Sequence, residues 1–171
     1  MEFYDVLKKR HSVRAFEDKD IEKEKLEKII GAFSLSPSAG NLQAYKVHII
    51  KTKEVKEALA EAALDQNFMA KAPIILVFSA DQEQSTAKYG ERGAQLYAVQ
   101  DATIAAAYSQ LAATAEGLAS VWVGAFDPLE VSRVLNLESY HIPVALIPLG
   151  YTSEIPEGRD RRDVWEIVSE V

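Results

Sequence analysis

QDATIAAAYSQLAATAEGLASVWVGAFD, residues 100–127, is the stretch on which the fold turns. Its first half lies in the longest predicted helix, residues 94–117, which ends near Gly117 and carries alanine at 102, 105, 106, 107, 112, 113 and 115. A helix that is apolar nearly all round is a buried one, and in a chain of 171 residues such burial often involves a partner subunit. Its small side chains let a second helix or a flat ligand come close. The pattern then changes period. ASVWVG, residues 119–124, predicts a strand, and Asp127 ahead of Pro128 predicts the N-cap of a short helix.

Working outward, PIILVFSA at 73–80 is a continuous apolar run bounded by Pro73 and Asp81, as expected of a strand covered on both faces. Tyr45–Ile50 predicts a second strand with Tyr45, Val47 and Ile49 on one face, and IPVALIPL at 142–149 a third. Helices are predicted over 2–9, over 21–33 with Asp20 as N-cap, and over 53–64. SPSAGN at 36–41 is a loop. The C-terminal GRDRRDVWEIVSEV joins a basic knot to an amphipathic tail whose apolar side must cover something. These elements suit one central sheet with helices on both faces, in a single domain spanning 1–171. Periodicity leaves parallel and antiparallel strands equally open.

Composition excludes several functions. Cysteine is absent, so there is no disulfide scaffold, thiol nucleophile or thiolate metal site. The formal net charge of −7 repels phosphate backbones and argues against nucleic acid as a partner, while permitting a local basic pocket. No apolar run reaches the roughly 18–20 residues that span a bilayer, and MEFYDVLKKRH does not read as a secretory signal, so a cytoplasmic protein is expected. His11, His48 and His141 show no metal-binding spacing, and His48 reads as a hydrogen-bonded structural residue. Sequence signatures of a Ser hydrolase, a P-loop NTPase and a Rossmann dehydrogenase are all absent.

The basic residues are unevenly placed. Arg10, His11, Ser12 and Arg14 follow the first helix, and Arg159, Arg161 and Arg162 lie near the other end. Two such knots on an acidic chain can form one anion pocket, since guanidinium groups bind phosphate through paired, charge-assisted bonds. They also suit two solvated loops. Pro37-Ser38-Ala39-Gly40-Asn41-Leu42-Gln43 offers backbone donors and two side-chain amides able to meet a heteroaromatic edge, or equally a plain turn.

In order, these segments resemble the FMN-dependent nitroreductase family. RHSVRAF at 10–16 is similar to its N-terminal signature, and SPSAGNLQAYKV at 36–47 to its loop and following strand. KAPIILVFSA, the 100–127 stretch and the late LGY also match it. Ala44 and Tyr45 replace the usual Pro-Trp, Ser109 a frequent Asn, and Ala119 a common Gly. The resemblance implies an α+β fold, with a mostly antiparallel central sheet flanked by helices, in an intertwined homodimer.

It further implies FMN as cofactor and NADH or NADPH as donor. Arg10, His11 and Ser12 match positions at the FMN phosphate and ribityl, and Arg14 a basic position near the pyrimidine end of the ring. Pro37, Ser38, Ala39, Asn41 and Gln43 match a loop reaching FMN from the other subunit. Asp65-Gln66-Asn67 lies where the family has a polar flavin contact, with the register open and Asn67 as the candidate. Gly124 and Ala125 match a segment facing the flavin, and Arg159 and Arg161, with Arg162 as their neighbour, the C-terminal phosphate residues. The implied reaction is hydride transfer to the flavin, then reduction of a nitroaromatic, quinone or similar small molecule. The alternatives are a storage or sensing flavoprotein with an occluded ring face, and reductive dehalogenation on the same fold.

Overall fold

The computed structural model describes residues 1–154 and 157–171. Its helices are α1 (Phe3–Lys9), α2 (Lys23–Ser34), α3 (Lys53–Ala62), α4 (Phe68–Lys71), α5 (Gln82–Arg92), α6 (Ala98–Ala115) and α7 (Pro128–Leu135). Its strands are β1 (Tyr45–Ile50), β2 (Ile74–Asp81), β3 (Ala119–Ser120) and β4 (His141–Gly150). The strands form one sheet, ordered β1-β2-β4-β3 and antiparallel throughout.

Strand β2 is the reason for two helical layers. Successive side chains of a strand point to opposite faces. Ile74, Leu76 and Phe78 therefore enter one core with Leu26, Ile29 and Phe33 of α2 and Ala105, Ala106 and Ala113 of α6. Ile75 and Val77 enter the other, against Leu59 of α3, Met69 of α4 and Val131 of α7. A strand apolar on both faces is stable only when both are covered, so the sheet sits between α2/α6 and α3/α4/α7. Phe33 meets Phe78 edge to face at 5.5 Å between centroids, a favoured aromatic geometry.

Several local expectations need correction. The predicted strand 119–124 forms only at Ala119–Ser120 and resumes as an isolated bridge between Val123 and Leu146. The residue opposite the gap is Pro148. Leu146 exchanges both backbone bonds with Val123, so two residues on, Pro148 turns its ring nitrogen to the same side and has no N–H to donate. The predicted helix 94–117 is also divided. Residues Gly93–Tyr97 wind as a wider turn, and regular α-helix begins at Ala98. Any Cβ at Gly93 would lie 2.6 Å from the Ser85 carbonyl oxygen, so only glycine permits this approach. Asp20 does not cap α2. The helix opens at Lys23 after Glu22, whose carboxylate accepts the Tyr151 hydroxyl at 2.6 Å. Asp127 does cap α7, accepting from Leu129 N–H at 2.8 Å and Glu130 N–H at 3.2 Å.

The apolar side of the C-terminal tail covers nothing within the protomer. Trp165 is 70% exposed and Ile167 65%, while Phe3 on α1 is 61% exposed. No helix among the described residues is long and apolar enough to cross a membrane.

His48 on β1 is half-buried, and its buried Nδ1 has no hydrogen-bond partner, contrary to the expectation of a bonded histidine. Lost hydration, then Lys46 and His141 nearby, hold its pKa below the ordinary imidazole value. As pH falls, the unfolded chain therefore binds the proton first. The contribution is intact above about pH 6.5 and is lost as pH falls through the depressed folded value. Urea midpoints measured across this window should fall toward acid, and His48→Leu should flatten that slope. An unchanged slope in the variant would remove His48 as its source.

Candidate functional site

The segment after α1 is held at the sheet edge. Arg10 ends α1 with its N–H on the Val6 carbonyl at 2.9 Å. Ser12 bridges Ser120 in parallel register, and Val13 N–H donates to the Ser120 carbonyl at 3.1 Å. This anchoring aims the basic residues at those from the other end of the chain. Arg10, His11, Ser12, Arg14, Arg159 and Arg161 line one cavity of about 420 Å³, with Glu157 the single acid of the lining. The two chain-end clusters thus meet within one protomer. None of these four arginines forms an ion pair among the described residues. Arg162 is outside the lining, and its guanidinium pairs with Glu166 at 3.2 Å.

From this cavity Arg14 leads to the turn before α4. Its guanidinium carbon lies 5.8 Å from the Phe68 ring centroid. The turn is tight, with Leu64 and Asp65 both at φ 60° and Asn67 N–H on the Asp65 carbonyl at 2.8 Å. Gln66 ties it to the sheet side, its amide donating to the carbonyls of Ala63 at 2.8 Å and Ala125 at 3.0 Å. Gln66 is therefore structural, whereas Asn67, Gly124 and Ala125 remain exposed. Arg14 thus approaches the turn that carries Asn67, and Gln66 ties that turn to Ala125.

The Pro37–Gln43 loop lies elsewhere. It is fixed by Asp101, a buried acid in the first turn of α6. Asp101 accepts Ala39 N–H at 2.9 Å and Ala44 N–H at 3.3 Å. A proline at 44 would have no proton for the second bond. Ser38 Oγ accepts Gln43 N–H at 2.9 Å. Gly40 adopts φ +57°, a left-handed conformation that favours glycine, and the Tyr89 hydroxyl and Lys88 Nζ lie against it. Pro37, Ser38 and Ala39 line a second cavity of about 540 Å³ with Tyr97 and the start of α6, while Asn41 and Gln43 are exposed.

The separation of the two regions follows from α6. Gln110 donates to Ser120 Oγ at 3.2 Å near the arginine cavity, and Asp101 holds the loop. At 1.5 Å per residue these anchors lie about 14 Å apart along the helix. One protomer does not bring Pro37–Gln43 to the arginines.

Within the Asp65-Gln66-Asn67 stretch the contact to Ala125 falls on Gln66, and sequence reading missed Phe68, Glu157 and Asp101. For Asp101 a signal existed: it is the only charged residue in Ala98–Ala115, and a lone acid on a buried helix needs donors. The other two depend on tertiary proximity.

With this geometry in view, a profile described as "Nitroreductase family" matches residues 7–68 and 63–151. The chain is 32% identical to a Thermus thermophilus protein named NADH dehydrogenase, over 85% of this chain and 84% of that one. It is 29% identical to a Bacillus subtilis protein named FMN reductase [NAD(P)H], over 86% of this chain and 65% of that one. A solved nitroreductase family protein from Clostridium difficile superposes with a TM-score of 0.87 at 33% identity, covering 99% of this chain and 98% of the other. The chain belongs to the nitroreductase family, and the antiparallel sheet between helices is that family's fold.

Asp101→Ala leaves the Ala39 and Ala44 amides without an acceptor. At about 1–3 kcal/mol per buried unsatisfied group, the variant should unfold at clearly lower denaturant, with faster amide exchange at Ala39 and Ala44 than in Asp101→Asn. Equal exchange in the two variants would show that the carboxylate does not hold the loop.

Proposed function

We propose that this chain is an NAD(P)H-dependent flavin oxidoreductase that binds FMN between two copies of itself. The observation that carries the reading is the convergence of Arg10, Arg14, Arg159 and Arg161 with Ser12 on one cavity. On a chain of net charge −7, four unpaired guanidinium groups at one place call for a dianion such as a phosphomonoester. The names of the relatives, NADH dehydrogenase and FMN reductase, support the same chemistry.

In this reading Arg10, Arg159 and Arg161 hold the phosphate, with His11 and Ser12 as further donors and Arg162 as a neighbour. Arg14 lies at the Phe68 end of the cavity and leads toward Asn67, Gly124 and Ala125, which border the ring. Pro37, Ser38, Ala39, Asn41 and Gln43 come from the partner, because their own protomer holds them some 14 Å along α6 from the arginine end. The exposed apolar faces of α1 and the tail supply the contact between copies, and residues 1–171 act as one domain. Bound FMN supplies the redox chemistry, accepting hydride from NADH or NADPH and passing electrons to a nitroaromatic, quinone or similar acceptor that occupies the donor's place in turn. The protein positions these partners and sets their electrostatics, so no side-chain nucleophile is needed. A cytoplasmic setting accords with that donor.

The visible spectrum of the purified protein tests the reading. Flavin bands, FMN on extraction, bleaching by NADH or NADPH and recovery with a quinone are expected, and a colourless protein that ignores added FMN would sink it. Arg10→Ala should weaken FMN binding tenfold or more, since a charge-assisted bond is worth about 1.5–3 kcal/mol. Titration of the apoprotein with FMN measures this. Arg14→Ala removes a cation that stabilises negative charge on the reduced ring, so it should lower the flavin potential. Spectroelectrochemistry showing an unshifted potential would retire that role.

A further inference from the structure

A cavity of about 680 Å³, larger than either described above, lies on the other side of α4 and shares no lining residue with them. One wall carries four lysines: Lys51 just before α3, Lys53 and Lys56 from its start, and Lys71 from the end of α4. Lys56 is the unusual one. It is only 9% exposed, and its ammonium group donates to the Ala72 carbonyl at 2.7 Å. That bond uses one of three donors. Among the described residues Lys56 has no carboxylate within ion-pairing distance, and the only such pair on this wall is Lys53 with Glu57, at 3.8 Å. A buried cation without a counter-charge is costly and is retained in folds mainly where something pairs with it.

The lining also carries Glu17, Asp18 and Asp20, and among the described residues none of them forms an ion pair. Phe16, Ile21, Pro73 and Ile74 contribute apolar surface to the same cavity. No ion pair joins these acids to the lysines among the described residues, so the space suits a molecule carrying both charges. Electrostatic complementarity assigns an anionic end to the lysines and a cationic end to the acids.

We infer that this cavity binds a small zwitterion of peptide type, with its carboxylate at Lys56, its ammonium group at Glu17, Asp18 and Asp20, and apolar side chains against Phe16 and Ile74. A metal-bridged anion is a poorer match, because no cluster of three or more metal-ligating residues occurs among the described residues. The site is independent of the arginine cavity, so it stands or falls apart from the flavin reading.

Calorimetric titration and thermal shift on the full chain as purified, with leucyl-leucine as probe, test the inference. The free dipeptide should bind and raise the melting temperature. Its N-acetyl form and its C-terminal amide should each bind at least tenfold more weakly. Lys56→Met should lose the dipeptide-induced shift, while its melting temperature without ligand reflects two opposed changes, a buried charge removed and the Ala72 carbonyl left without its donor. Arg10→Ala, at the other cavity, should bind the dipeptide as the parent does. No binding, equal binding of the capped forms, or competition by inorganic phosphate as strong as by the dipeptide would overturn the proposal. So would a Lys56→Met protein that melts lower yet still binds, since Lys56 would then serve only α4.

Discussion

Ser120 is the point on which the arrangement of the basic residues depends. Its carbonyl accepts Val13 N–H, its hydroxyl accepts the Gln110 amide, and its backbone pairs with Leu149 of β4. Three parts of the chain that are distant in sequence are therefore locked at one residue. Val13 is buried beneath this contact, whereas Ser12 and Arg14 on either side of it remain exposed. A short extended segment with a single buried side chain would have no fixed direction alone. Bonded to the sheet edge, it aims Arg10 and Arg14 into a common space. The position of the charges is thus a consequence of sheet pairing.

The same sheet accounts for the two helical layers. Because β2 presents apolar residues to both sides, α2 and α6 are required on one face and α3, α4 and α7 on the other. α6 carries eight alanines among its 18 residues, so it packs closely and leaves its one charged residue, Asp101, to organise a loop. That loop contains successive positive-φ residues, Gly40 and Asn41, with Gln43 close behind. Such a backbone is stable only with external hydrogen bonds, and Asp101 provides two of them. A buried carboxylate is thereby satisfied and an irregular loop made rigid by one interaction.

The chain carries apolar groups on its surface. Its exposed apolar groups are concentrated at the two chain termini, in α1 and in the tail around Trp165. Its loop cavity and its arginine cavity face different parts of the surface. In the proposed assembly a second copy would cover the termini and contribute its loop.

The sequence by itself determined the elements whose signals are local. The doubly buried β2 was legible in PIILVFSA, the cap of α7 in Asp127-Pro128, and the basic clusters in composition and order. What tertiary structure decided was everything set by a distant partner. Pro148 interrupts the strand at 121–122 from across the sheet, and Glu22 displaces Asp20 at the start of α2 while bonding Tyr151. Gln66 takes the contact to Ala125 and leaves Asn67 exposed, and Arg162 is drawn to Glu166 while Arg159 and Arg161 face Arg10. Periodicity and capping act within a few residues and are written in order along the chain. Hydrogen-bond competition and charge pairing across the fold depend on which residues meet, and that is fixed only once the sheet has closed.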